Sequence, residues 1–252
     1  MSIKVLYIGV YRDGGGYCDL AKSHILSLDA AGVDVVPRCV RLNDKNLDPG
    51  DRIKELEKKS DKNCDVNIQC ILPTYYAYNR GCGKNIGLSC FETKCDTSPW
   101  KTYVNMMDEI WTINRIEKHW IEEIFNKPVK NVPVAIDENI FLKSYEKLQI
   151  PETYNKYTFY TIGENIKRKN LEALIKAFHM AFGKNDNVSL LIKSGNQGMS
   201  PDQSANILSS MSRDIKLKLK KYGRISKYLE EIVLTQQLTD EQIYILYYRR
   251  KH

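Results

Sequence analysis

The chain has 252 residues, 42% hydrophobic and 27% charged, which excludes a disordered, collagen-like or coiled-coil protein. Its 38 Lys and Arg against 31 Asp and Glu leave +7, and the excess is uneven. Residues 1–150 carry 21 basic and 21 acidic side chains, residues 151–252 carry 17 and 10, so the two halves point to different partners.

Residues 3–10 form a near-continuous apolar run, as a strand buried on both faces requires. Asp13 and the glycines Gly14, Gly15 and Gly16 make a turn. A helix is predicted over 18–31, ended by Gly32. A second strand follows at 33–40, a charged helix at 49–61 and a third strand at 66–72, ended by Pro73. Residues 74–99 are irregular and rich in Tyr, Gly and Cys, with a strand near 85–91. Then come a helix to Met107, a strand at 109–113, a helix at 115–125 and a strand at 129–136. Residues 141–156 lack periodicity and read as a linker. The alternation restarts with a strand at 157–162, a helix at 170–182, a strand at 188–192, a basic-faced helix at 204–222 and a strand at 231–235. A last helix starts at Thr239, capped through Gln242, and reaches Arg249–His252. Strand–helix alternation of this kind predicts parallel α/β sheets. The predicted layout is one domain over 1–140 and a second over 157–252.

No run of 18 apolar residues occurs, so no transmembrane helix is expected. The start lacks the basic, then long apolar, pattern of a signal peptide. The cysteines, at 18, 39, 64, 70, 82, 90 and 95, are odd in number and form no CxxC pair. Zinc spacing and a complete disulfide framework are therefore excluded, and free thiols in a reducing cytoplasm are expected. The histidines are scattered and no metal site is predicted.

Three places carry chemistry. Gly14–Gly16 lie between a strand and a helix, where glycines serve either turn geometry or the close approach of a ligand to backbone N–H groups. The spacing does not meet GxGxxG. The stretch from Gly163 to Asn170 follows a strand, opens a helix and carries Lys167, Arg168 and Lys169. Cations at a helix start oppose its dipole, and an anion bound among them, such as a diphosphate, would offset that cost; a solvated basic turn is the plainer alternative. Tyr75, Tyr76 and Tyr78 lie after a strand, where α/β sheets bind ligands, and either stack on a sugar or base or pack the loop. A further basic run, Lys216, Lys218, Lys220, Lys221, Arg224 and Lys227, reads as a solvated helix face, with a peripheral membrane-surface or nucleic-acid contact as its alternative. Nucleic acid is disfavoured because no recognition motif accompanies the charge.

Together these segments resemble the family 4 glycosyltransferases of GT-B fold. Tyr160-Thr161-Ile162-Gly163, then Arg168-Lys169-Asn170 and the run from Leu171 to Phe178, are similar to the first strand, basic turn and first helix of that family's C-terminal domain. Met107-Asp108-Glu109-Ile110-Trp111-Thr112 resembles an N-terminal "MDEIW" segment. Val132 to Asp137 is similar to a "P-x-G-I-D" passage before the domain linker. Phe91-Glu92-Thr93 with Pro99-Trp100 resembles a "WET…P-x-W" segment.

The resemblance implies two Rossmann-type parallel-sheet domains and transfer of a hexosyl group from a nucleotide-sugar donor to an acceptor, with retention and without an essential metal or other cofactor. It places the donor on the C-terminal domain, with Gly163, Arg168, Lys169 and Asn170 near the diphosphate. It places the acceptor on the N-terminal domain, with Gly14, Gly15, Gly16 and Glu92 near the reaction centre, and Tyr75, read from its loop after a strand, is assigned to the same side. Glu164 stands where the family has an arginine, and Arg168 is the substitute. The family's paired glutamates have no counterpart before His252, so a C-terminal domain cut short is expected. The alternative to an enzyme is a non-catalytic binding module or partner-completed subunit, self-associating through Tyr244, Leu246 and Tyr247.

Overall fold

The computed structural model describes residues 3–94, 99–145, 149–196 and 198–248. Cys95, the extension of the last helix through Arg249–His252 and the side chain of Tyr247 lie outside the described residues. The chain divides into two compact units, 1–139 and 140–252.

The first unit is a six-stranded sheet. Its strands are β1 (Lys4–Gly9), β2 (Asp34–Cys39), β3 (Val66–Cys70), β4 (Lys84–Ser89), β5 (Glu109–Thr112) and β6 (Val129–Asn131), all parallel, in the order β2-β1-β3-β4-β5-β6. Pro37 lies on β2, which is an edge strand, where a missing N–H is tolerated. The helices are α1 (Gly16–Ala30), α2 (Asp51–Glu57), α3 (Trp100–Met106) and α4 (Arg115–Ile124). One buried cluster joins Tyr7, Ile25, Val35, Ile53 and Leu88, tying α1 and α2 to the sheet. Another joins Val104, Ile110, Ile121 and Val129, tying on α3 and α4. Ile110 and Trp111, neighbours on β5, go to different clusters, as alternation along a strand demands.

The segment resembling "MDEIW" turns out to be scaffold. Met107 is fully buried. Glu109 accepts from Lys84 Nζ at 2.5 Å and from Trp111 Nε1 at 2.6 Å, with Lys130 Nζ at 3.5 Å, bracing β4, β5 and β6. The predicted last strand is shorter than expected. It ends at Asn131, because Pro133 has no N–H for the ladder. The Pro133 carbonyl instead meets His24 Nε2 at 3.2 Å.

Gly87 marks a close approach. A Cβ there would stand 2.5 Å from Tyr76 Cε2 and 2.8 Å from Cζ. Gly87→Ala should therefore displace the Tyr76 ring and destabilise the first unit by about 1–3 kcal/mol, read as a lower urea midpoint with unchanged m-value. An unshifted midpoint would refute this close packing.

The short helix α5 (Asn139–Leu142) lies at the boundary. The second unit contains β7 (Tyr157–Ile162), β8 (Val188–Lys193) and β9 (Glu231–Leu234), parallel in the order β7-β8-β9, with α6 (Leu171–Ala181), α7 (Pro201–Leu219) and α8 (Asp240–Tyr248). Leu171, Ile175, Phe178, Leu190, Leu208 and Ile215 form the core with α6 and α7. A second cluster holds Ile150, Leu191 and Leu246. Leu246, expected at a partner contact, is 2% exposed and belongs to this chain's own core. The reason is geometric: α8 lays that residue against the sheet.

Helix α7 begins before the predicted Ser204. Ser200 is its N-cap, Pro201 its first residue, and Ser200 and Gln203 form a reciprocal capping box. The box at Thr239 and Gln242 forms as predicted, with bonds of 2.9 and 3.2 Å.

Candidate functional site

In the first unit the chain runs from β1 outward to β2 on one side and to β3 on the other. The strand order therefore reverses between β1 and β3, and the crevice outside their carboxyl ends is where open α/β sheets bind ligands. Gly14–Gly16 follow β1 into that crevice. Gly14 has φ +75°, a left-handed backbone that favours glycine; a Cβ there would stand 2.8 Å from the tip of the exposed Leu47 side chain, which can move aside. Gly15 is the N-cap of α1 without a side-chain cap, its own N–H taken by Asp13 Oδ1 at 2.8 Å. Around Gly16 nothing lies within 4 Å of a built Cβ.

The next residue, Tyr17, was not singled out by sequence. Its hydroxyl lies 2.7 Å from Ser89 Oγ and accepts the Cys90 N–H at 3.2 Å, tying the glycine loop to the end of β4. Burial pushes the Tyr17 hydroxyl up to about 12 and the Cys90 thiol up to about 11.

The tyrosines after β3 part company. Tyr75 is 53% exposed at the rim. Tyr76 is buried under the loop, with its hydroxyl unpartnered, and burial raises its pKa. Tyr78 donates to Asp108 at 3.3 Å. Glu92 follows β4 with an exposed side chain and a left-handed backbone, φ +54°. Its N–H is accepted by Glu117 Oε1 at 3.3 Å, while buried Glu117 Oε2 has no partner.

In the second unit the predicted diphosphate turn lies at the carboxyl end of β7. Lys167, Arg168 and Lys169 form a 3-10 turn that ends before α6 rather than occupying its first turn. The dipole cost expected for them is thus largely avoided, and Glu172 sits in the first turn of α6 instead. Asn170 is left-handed, φ 51°, and its side chain caps nothing. Gly163 and Lys169 are brought together: a Cβ on Gly163 would stand 3.8 Å from Lys169 Cε and 3.9 Å from Cδ. The three cations are exposed and make no ion pair among the described residues.

The turn is stitched to the end of β8. Gly163 N–H donates to Lys193 O at 3.0 Å and Asn165 N–H to Gly195 O at 2.9 Å. Beside these bonds, Ser194 Oγ and Asn196 Oδ1 are buried and unpartnered. Burial also holds the Lys193 ammonium below the ordinary lysine range. Sequence reading missed these three. The available signal was polar residues and Gly195 directly after a buried apolar strand. Three cations, a glycine approach and the Ser194 hydroxyl, which can donate, lie at one sheet edge and together suit an anion; Asn196 Oδ1 is an acceptor and does not contribute to that.

The second basic run is a surface in part: Lys218, Lys220, Arg224 and Lys227 are exposed, whereas two of its members are spent within the unit. Lys216 is buried against Glu231 Oε2 at 2.8 Å. Lys221 Nζ donates to the carbonyls of His179, Met180 and Phe182 at 3.1, 3.0 and 3.0 Å, closing the C-terminal end of α6. Among the described residues, no group of three or more His, Cys, Asp or Glu could hold a metal ion, and no described helix is long and apolar enough to cross a membrane.

No protein-family model matches the sequence, and no curated protein does. Solved structures do. The apo structure of OtsA superposes with a TM-score of 0.61 at 11% identity, covering 98% of this chain and 76% of that one. The N-terminal domain of trehalose-6-phosphate phosphatase from Candida albicans gives 0.50 at 12%, covering 98% and 75%. The lipopolysaccharide outer core galactosyltransferase WaaB, in its apo form, gives 0.48 at 13%, covering 86% and 66%. The fold is α/β and GT-B-like, with Rossmann-type parallel sheets.

Proposed function

We propose that this chain works in glycosyl transfer, binding a nucleotide-sugar donor through its diphosphate at the turn Gly163–Asn170 of the second unit. The observation that carries the reading is the turn itself: three exposed, unpaired cations beside a glycine at the carboxyl end of β7, with the buried Ser194 hydroxyl unpartnered alongside. The GT-B-like fold supports it.

In this reading Lys169 and Arg168 face the diphosphate, Gly163 lets it approach the backbone, and Asn170 ends the cradle. Departure of the nucleoside diphosphate places negative charge on the leaving oxygens. Cations placed there stabilise that charge more in the transition state than in the ground state. The acceptor belongs to the first unit, against Gly14–Gly16, Tyr75 and Glu92. Transfer with retention and without a metal is part of the proposal and comes from the family resemblance.

Calorimetric titration tests the binding half. Uridine, guanosine and adenosine diphosphates are compared with their nucleosides. At least one diphosphate should bind at least tenfold more tightly than its nucleoside, and binding should weaken with salt. If none of the three binds, the reading fails. Transfer is measured separately, as release of nucleoside diphosphate from a nucleotide sugar.

A further inference from the structure

The parallel pairing of β3 with β4 sets Val66 against Lys84. Two residues before the start of each strand, just outside the ladder, stand Cys64 and Cys82. The two segments are together up to the residue next to Cys64, where Lys84 N–H donates to Asp65 O at 3.1 Å. A disulfide spans a Cα separation of roughly 4.4–6.8 Å, and the strands that lead away from the two cysteines run about 4.8 Å apart. Both thiols are buried, Cys64 at 4% and Cys82 at 8% exposure, and share one apolar cluster with Leu6. They lie at the amino ends of the strands, opposite the edge that carries Tyr75 and Glu92.

We infer that Cys64 and Cys82 are a site of covalent thiol oxidation, forming an intrachain disulfide that closes a ring around β3 and the Tyr75 loop. The oxidant is a small disulfide such as glutathione disulfide. The thiolate of one cysteine attacks its S–S bond and releases one glutathione thiolate. The second cysteine thiolate then attacks the mixed disulfide and releases the other. Two S–H bonds are lost, one S–S bond forms, and the two electrons leave on two glutathione molecules. Burial raises both thiol pKa values, so the reaction is slow at neutral pH and speeds up on alkalinisation. Cys64 Sγ gives up its 3.1 Å bond to the Asp61 carbonyl in the process.

The test is oxidation of the whole folded chain in glutathione disulfide at pH 8, then blocking of free thiols and peptide mass mapping. The expected product is a Cys64–Cys82 cross-linked peptide, two protons lighter than the sum of its parts and lost on dithiothreitol. The oxidised chain should melt about 5 °C higher. Cys64→Ala and Cys82→Ser should each leave the other cysteine as a glutathione adduct. Mixed disulfides at the more exposed Cys39 or Cys90 with Cys64 and Cys82 still free would overturn the assignment. So would a disulfide joining either to a different cysteine.

Discussion

Glu231→Ala should cost the second unit about 3–5 kcal/mol, the loss typical of removing one partner from a buried ion pair. Glu231 opens β9 and is the meeting point of three elements. Its carboxylate faces His179 Nε2 of α6 at 2.5 Å, and accepts from Ser212 Oγ at 2.6 Å and Lys216 Nζ at 2.8 Å, both of α7. Alanine leaves the Lys216 ammonium buried without a counter-charge. Glu231→Gln keeps the shape and should lose less. The double variant Glu231→Leu with Lys216→Met should recover much of the loss, because no charge is then stranded. Trp100, Trp111 and Trp120 all belong to the first unit, so fluorescence would miss the effect. Hydrogen exchange at the β8 amides is the appropriate readout.

The same carboxylate has a pH signature. Burial alone would raise its pKa, but bonds from His179, Lys216 and Ser212 outweigh it and hold the value from the ordinary 4.5 down to about 2. A lowered folded pKa means stabilisation that is complete above about pH 4.5 and is lost as the pH falls toward 2. The shift corresponds to about 3 kcal/mol. Wild-type β8 protection should therefore fall steeply between those values, and Glu231→Gln should show a shallower fall. Parallel pH profiles would contradict this role.

Lys169→Ala should weaken nucleoside diphosphate binding about 10- to 100-fold, the worth of one charge-assisted contact. Folding should be almost unaffected, since the side chain is exposed and makes no ion pair. Lys169→Arg should keep most of the affinity and Lys169→Met should not. Glu164→Arg tests the same field from the other side. Glu164 is an exposed carboxylate directly after Gly163, so exchanging its charge should tighten binding and steepen the salt dependence. Equal affinities for wild type and Lys169→Ala would move the donor away from this turn.

Much of the framework is legible in residue order alone. Buried runs such as β1, the repeating strand–helix rhythm and the Thr239–Gln242 box are local patterns, and local patterns encode local structure. A capping box at Ser200 and Gln203, with Pro201 behind the cap, was equally readable, and periodicity alone passed over it. Pro133 likewise announced the end of β6. The basic turn at 167–169 stood out because three adjacent cations need no partner to be noticed.

Residue order by itself determined the fold class and the composition of the candidate anion turn, because both depend on neighbours within a few positions. Only the tertiary structure decided which polar groups are spent and which are spare. Lys216 and Lys221 look like their surface neighbours until packing commits one to Glu231 and the other to three carbonyls. Tyr75 and Tyr76 are adjacent and alike, yet the hole at Gly87 buries one and leaves the other at the rim. Ser194 and Asn196 are unremarkable until desolvation leaves their oxygens unpartnered beside Lys169's turn. Cys64 and Cys82 meet only in the apolar cluster they share with Leu6 ahead of β3 and β4. In each case the deciding contact joins residues far apart in the chain or turns on burial, and neither is encoded at any single position.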